Sequence, residues 1–411
     1  MGHAFRFLHS GDFDLQQPLT GLADVPEALR PLLVDAPFTA AQRVFDVAIR
    51  ERVDFIVLSG NLLDIDQAGP RSVAFLIEQF TRMNENDIGV YWAGGVTDPP
   101  QQWPGAARLP KNVNLFPAYQ VEEFTHFRED KPIASVRGRS WQGPTAPLDP
   151  LAPDFDRLFT VAVSYGQTEI SPLLHKPVNY WALGGSPHRT THGDSLRTVH
   201  YPGSPQGRKP QHAGAHGCSL VHVESDGKTR VQLIPTDAVR FQTEDISMDP
   251  TAPVADQRRP FLERVKDLRT ESDDRPLLVS WEMRLSGTPT LAQREKVSAE
   301  MLTWLRNEFG GSRVPLWSIG VECASGLLNP GWMTEDTMLG EFLRAIEKAC
   351  HDDDQPLDLS TFVPTRHQQS SLASIAQIGT GMDKQTLLRE AALLGAQLLG
   401  ADERGPARIL S

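Results

Sequence analysis

A chain of 411 residues with 40% hydrophobic composition can bury one large core or two to three moderate ones. Its formal charge of −12 repels polyanions over most of its surface, so any contact with nucleic acid has to come from local basic patches. The odd set Cys218, Cys323 and Cys350 argues against a disulfide framework, and no window approaches the roughly 18 apolar residues of a membrane span. The expectation is a cytoplasmic protein without membrane contact.

The first segment, AFRFLHSGD, is expected to form a strand. Thr39-Ala40-Ala41-Gln42 carries a capping-box signature, followed by Val44, Val47 and Ala48 on one face of a helix running to about Arg52. VDFIVLSGNLLD then forms a strand ending at Gly60-Asn61, RSVAFLIEQFTRM a helix, and GVYWAGG another strand. NVNLF, IASVRGRSW, FTVAVSYG, NYWALGG, CSLVHVE and TRVQLIP are further strands with few long helices between them. A mixed two-sheet sandwich flanked by helices, of α/β (α+β) class, fits this order better than a single parallel sheet.

QTEDISMDPTAPVADQRRP has no clear periodicity and is rich in Pro and Asp, which predicts a boundary near Thr243. Beyond it RPLLVSWEMRLSG and VPLWSIGVECASG are strands, and LAQREKVSAEMLTWLRNEFGG is a helix stopped by glycine. MLGEFLRAIEKAC and, after the polar TRHQQSS, DKQTLLREAALLGAQLLG are helical. The predicted division is a layered α/β domain over 1–240, a small α/β capping domain over 241–332 and a helical C-terminal region over 333–411.

In layered α/β folds ligands gather beyond the carboxyl ends of strands. Those ends carry Gly11-Asp12-Phe13-Asp14, Gly60-Asn61-Leu62-Leu63-Asp64, Gly94-Gly95-Val96-Thr97-Asp98, Tyr165-Gly166 and Gly184-Gly185-Ser186-Pro187-His188. Together with HYPGSPQGR at 200–208 and Gly217-Cys218, this succession resembles the calcineurin-like metallophosphoesterases, and more narrowly the SbcD/YhaO-type DNA repair exonucleases. The resemblance covers roughly residues 5–235 and implies a two-sheet metallophosphoesterase fold. In that family the same sites read approximately D-x-H, G-D-x-x-D, G-N-H-D, a lone His and G-H-x-H, and hold two divalent metals.

Position by position, this chain departs from the pattern. A two-metal hydrolase uses hard oxygen and imidazole ligands and a bridging carboxylate that holds the ions about 3.5 to 4 Å apart. By the resemblance, Asp12 is retained, Asp14 replaces the histidine of D-x-H, and Asn61 replaces the bridging aspartate. Val96 and Thr97 replace the asparagine and the catalytic histidine of G-N-H-D, Tyr165 the lone histidine, and Gly185 and Pro187 the final pair. A neutral amide has one good ligating oxygen and cannot offset two dications. The resemblance therefore implies vestigial metal positions at Asp12, Asp14 and Asn61 and family catalytic positions at Thr97 and Asp98. It also implies no required cofactor, beyond a single weakly held Mn or Mg ion at Asp12 and Asp14. The expected function is a catalytically inactive structural or regulatory subunit of a DNA-repair-type complex. The alternative is an active exonuclease or phosphodiesterase with a one-metal site at Asp12, Asp14 and Asn61.

Other features have bland and sharp readings. Seven of the twelve histidines fall between His175 and His222, with His188/His192 and His212/His216 at a spacing that binds zinc when helical; the Gly/Pro-rich context favours solvated loops. His9 lies within the first strand and fits a satisfied core histidine. Asp98, before a proline, fits a turn cap, and Asp12 beside Asp14 raises one pKa or attracts a cation. Arg189, Arg208 and Lys209, with Arg197, are either a phosphate- or DNA-binding surface or an ordinary charged loop. Leu387, Ala391, Leu394 and Leu398, broadened by Leu388 and Leu399, form a helical stripe that packs on the chain's own core or docks an SMC-like coiled-coil ATPase, the partner that the resemblance implies. DNA and a second copy of the chain are the other partners it implies.

Overall fold

The computed structural model describes residues 3–144, 148–152, 158–273, 275–286, 291–323, 330–351, 357–358, 377–378 and 382–399. One compact unit comprises residues 1–243, 269–279 and 309–319, and a second comprises 244–268, 280–308 and 320–411.

The first unit is the layered sandwich. One six-stranded sheet carries β1 (Phe5–Ser10), β2 (Phe55–Leu58), β3 (Gly89–Ala93), β4 (Val113–Phe116), β11 (Gly217–Val223) and β12 (Thr229–Pro235) in the order β12-β11-β1-β2-β3-β4. The other carries β5 (Glu122–Arg128), β6 (Lys131–Gly138), β7 (Phe159–Tyr165), β8 (Tyr180–Gly184), β9 (Thr190–Gly193) and β10 (Thr198–Tyr201) in the order β5-β6-β7-β8-β10-β9. Both are mixed: β1 to β4 pair in parallel, as do β6, β7, β8 and β10, while β5, β9, β11 and β12 run antiparallel to their neighbours.

Strand alternation explains the layering. Phe5, Phe7, Phe55, Val57, Tyr91 and Ala93 point between the sheets, where they meet Ala134, Val136, Val161, Val163, Tyr180 and Ala182. The intervening Leu8, Ile56, Leu58, Val90 and Trp92 point outward, under α1 (Arg30–Arg50) and α2 (Pro70–Glu85). Strands buried on both faces read as continuous apolar runs, which is the pattern of FIVL in β2.

The helix expected from Thr39 begins at Arg30 instead. Pro37 lies inside it, buried together with Ala36, Ala40 and Ala41. A proline removes one ladder hydrogen bond, but the burial of this small-residue face holds the helix through it, so the Thr39 capping box falls in the interior.

In the second unit and its flanks, β13 (Arg240–Met248), β14 (Leu277–Leu285) and β15 (Leu316–Cys323) form a sheet in the order β13-β14-β15. The connections carry α4 (Val254–Glu271) and α5 (Leu291–Phe309). The stretch expected to lack periodicity is therefore a strand and a helix. QTEDISM alternates in burial along β13, and Phe261 of α4 packs edge-on against Trp281 with ring centroids 5.2 Å apart. Glu244 occupies a buried position, paired with Arg264, and Asp245 an outward one, so the acids blur the pattern.

α3 (Ile170–Leu174) belongs to the first unit; α6 (Met338–His351) and α7 (Met382–Leu398) complete the second. The face of α7 that packs against Leu339 and Leu343 of α6 carries Ala392 and Ala396, and Leu388 is also buried. A Cβ added to Gly395 would sit 2.0 Å from Phe342 Cε1, so this helix pair closes around a missing side chain. The expected stripe is instead exposed at Leu387, Leu394 and Leu398. The polar stretch 365–371 lies outside the described residues. No helix among the described residues is long and apolar enough to cross a membrane.

Candidate functional site: a rebuilt strand-end cleft

The carboxyl ends of β1, β2, β7 and β8 line one cleft of about 460 Å³, and the loop after β3 contacts Asn61 through Thr97 and Asp98. Asp12, Asp14, Asn61, Tyr165, Gly185 and Pro187 all line the cleft. The loop after β1 is laced to the loop after β2: Asp12 N donates to Gly60 O at 2.8 Å, Asp14 N to Asn61 O at 2.9 Å and Leu15 N to Leu62 O at 3.2 Å.

This lacing forces a special backbone. Asp12, Asp14 and Asn61 all have left-handed φ, at 50°, 43° and 51°. Such values are uncommon outside glycine, and best tolerated by Asp and Asn. The three residues are held in this conformation by the hydrogen bonds that lace the two loops together. At Gly60 (φ 88°) a Cβ would sit 2.6 Å from Cδ2 of Tyr165, so the tyrosine ring closes directly on the turn.

Asp98 anchors the constellation. It is fully buried and accepts hydrogen bonds from Asn61 N and Leu62 N, both at 2.9 Å, from Gly95 N, and from Trp92 Nε1 at 3.2 Å. A carboxylate with four donors is a structural cap for two loops, not a free base. Asp12 is likewise buried, with Oδ2 accepting from Gly185 N at 2.9 Å.

Asn61 is oriented against ligation. Its Oδ1 accepts from Thr97 N at 3.2 Å and Thr97 Oγ1 at 3.1 Å, while its Nδ2 donates to the Tyr165 hydroxyl at 2.7 Å. The amide thus turns its oxygen toward the β3 loop and shows N–H groups to the tyrosine. Burial, then the nearby Asp12, Asp14 and Asp98, push the Tyr165 phenol well above its usual pKa and keep it neutral.

A two-metal centre needs several anionic or imidazole donors converging on open positions. Here Asn61 gives its oxygen to Thr97 and Asp98 gives both of its oxygens to donors. Val96 is an exposed apolar side chain, and Gly185 and Pro187 carry no donor atom. The residues present do not fit the group. Among the described residues no cluster of three or more His, Cys, Asp or Glu has a metal-holding arrangement. What remains is a pair of neighbouring carboxyls, Asp12 and Asp14. Burial raises Asp12 well above the usual carboxylate range, with Asp14 adding to the shift. Burial also raises Asp14 to about 6, against the pull of Arg208.

The basic residues separate. Lys209 is exposed at the cleft wall. Arg189 reaches away to Ser219 Oγ at 3.4 Å and Val231 O at 3.3 Å. Arg208 is buried, donating from Nη1 to Gln17 O and from Nη2 to Phe13 O and, at 3.1 Å, Asp14 O. The arginine expected to face phosphate is therefore committed to the backbone of its own chain, because its planar fork of donors matches three carbonyls of the 13–17 loop.

The histidines also regroup. His212 packs against its i, i+4 partner His216 (6.0 Å between ring centroids), and His188 packs against His212 (5.4 Å), a contact that the spacing did not indicate. His212 Nδ1 accepts from Arg208 N at 3.3 Å, and both ring nitrogens of His216 lie on backbone carbonyls, Ser204 O at 2.9 Å and His212 O at 3.2 Å. His9 is a satisfied core residue, bonded to the Tyr180 hydroxyl at 3.1 Å and Ser59 Oγ at 3.0 Å. No local signal in the sequence marks the contacts of Thr97 with Asn61 or of Arg208 with Phe13, which join residues 36 and 195 positions apart.

The two-sheet sandwich with strand-end loops around one cleft is consistent with a metallophosphoesterase α/β fold. In sequence the chain is 31% identical over 239 residues to the uncharacterized metallophosphoesterase YhaO of Bacillus subtilis (strain 168), covering 53% of this chain and 57% of that relative. The chain is thus similar in sequence to a metallophosphoesterase over these 239 residues, and it spans just over half the length of this curated relative. No family model matches it. Among solved structures, Vacuolar Protein Sorting 29 of Cryptosporidium parvum overlays 56% of this chain and 97% of its own at 12% identity and TM-score 0.26. Vps29 of Entamoeba histolytica, complexed with zinc, overlays 56% of this chain and 99% of its own at 10% identity and TM-score 0.24. Overlays this loose add nothing to the reading of the site.

Proposed function

We propose that this chain is a non-catalytic exonuclease-like phosphoesterase that serves as a structural or regulatory subunit in a cytoplasmic DNA-repair-type complex. The observation that carries the reading is the Asn61 amide, held by Thr97 and Tyr165 so that no oxygen faces the cleft at the bridging position. The flanking glycines, the strained backbone and Asp98 are retained around it, so the architecture survives where the ligands do not. In this reading residues 1–240 are the phosphoesterase-like domain, 241–332 the capping module and 333–411 the helical region. The partners are a coiled-coil SMC-like ATPase, the DNA that such a complex holds, and a second copy of the chain.

A second reading keeps one weakly held Mn or Mg ion at Asp12 and Asp14 and an active hydrolase. It is favoured by the two carboxyls lining the same cleft. Incubating purified protein with linear and single-stranded DNA in millimolar Mn²⁺ separates the two. The non-catalytic reading expects no product above background, whereas cleavage abolished by Asp12→Ala overturns it.

A further inference from the structure

We infer that Arg208 takes the place of a metal cation beside Asp14: its buried guanidinium ties down the 13–17 loop and is the counter-charge to the Asp14 carboxyl, so the chain folds around this centre with no metal. The inference deepens the non-catalytic reading above and rests on it.

Three carboxyls, Asp12, Asp14 and Asp98, meet beneath the cleft. Enclosed carboxylates without a counter-charge cost several kcal/mol each, by an order-of-magnitude argument. Asp98 is accounted for by its four donors and Asp12 by Gly185 N. Neutral donors supply dipoles but no charge. The buried cation in the cleft wall is Arg208, brought there by the buried segment 201–208 that follows β10. It grips the carbonyls of Phe13, Asp14 and Gln17, which flank the Asp14 side chain. Arg208 favours the ionised form of Asp14, and Asp14 in turn favours the charged form of Arg208.

The contacts exclude a role in gripping an incoming phosphate. Both Nη atoms are spent on carbonyls, and Nε is sealed from solvent with no partner. They leave two roles, a neutral clamp of the 13–17 loop or a clamp that also supplies charge. Only the second couples to the Asp14 carboxyl and can be replaced by an added cation.

Thermal melting of the full chain tests this, with wild type, Arg208→Met, Asp14→Asn and the double variant, each in EDTA and in millimolar Mn²⁺. The expected result is a wild-type Tm that EDTA leaves unchanged and an Arg208→Met loss of about 5 °C or more. At least half of that loss should return in the double variant, and Mn²⁺ should raise the Tm of Arg208→Met but not that of the double variant. Equal losses with and without the Asp14 carboxyl, no response of Arg208→Met to Mn²⁺, or destabilisation of wild type by EDTA would each overturn the inference. If Arg208→Met is insoluble, solubility restored by Asp14→Asn supports the coupling and its absence refutes it. DNA cleavage by wild type would sink the non-catalytic reading alone, leaving these melting comparisons intact.

Discussion

Asp14→Asn is the substitution whose effect can be worked out most fully. The wild-type carboxyl is raised from 3.8 to about 6 by burial, so between those pH values the folded chain holds its proton more tightly than the unfolded chain does. Stability attributable to this group is therefore present at low pH and lost as pH rises through the window. A displacement of about two units corresponds to an upper limit of about 3 kcal/mol above pH 6, since each unit is worth about 1.36 kcal/mol and the cleft mouth admits water. Asparagine is nearly isosteric, tolerates the left-handed φ of 43° and does not titrate. The stability of Asp14→Asn minus that of wild type should be near zero around pH 4, climb between pH 4 and 6, and level off above. The depressed histidines His9, His200 and His212 contribute in the opposite sense, losing stability as pH falls, but they do so in both proteins and cancel in the difference. Urea unfolding in EDTA at four pH values from 4.5 to 7.5 measures it. Parallel stability curves for the two proteins would refute a burial cost at the Asp14 carboxyl that the pull of Arg208 offsets only in part.

Asp98→Ala strips the acceptor from three backbone N–H groups and the Trp92 indole, and should cost about 3 kcal/mol or more in urea unfolding. Tyr165→Phe removes the partner of Asn61 Nδ2 while keeping the ring on Gly60, so the expected loss is about 1 kcal/mol by the same measurement. Gly395→Leu drives a side chain into Phe342, and limited proteolysis should cut between α6 and α7 faster than in wild type while the sandwich stays resistant. The buried Cys218 thiol, pushed up to about 12 by burial, should resist thiol reagents at pH 7.5 until the chain unfolds.

Fold class was legible because strand ends announce themselves locally. FIVL followed by Gly60-Asn61, or YWAL followed by Gly184-Gly185, needs only an apolar run and a turn to place a side chain at the rim of a sheet. Elements failed where a local cue misled: the Thr39 capping box read as a helix start although the helix runs from Arg30 through Pro37, and the polar residues of β13, with Glu244 on its buried face, hid its alternation. On α7 the broad leucine stripe did not say which side packs. The close approach at Gly395 selected the face of Ala392 and Ala396, leaving Leu394 and Leu398 outside.

By itself the sequence determined the succession of strands, the two-sheet class and the residues that stand at five strand ends. Only the tertiary structure decided what those residues do there. An amide can face either way, and the Thr97 donors and the Tyr165 hydroxyl turned that of Asn61. An arginine near a cleft can meet a ligand or its own chain, and three carbonyls close to Asp14 claimed Arg208. Hydrogen-bond direction and charge pairing depend on partners tens to hundreds of residues away along the chain, which no local pattern records.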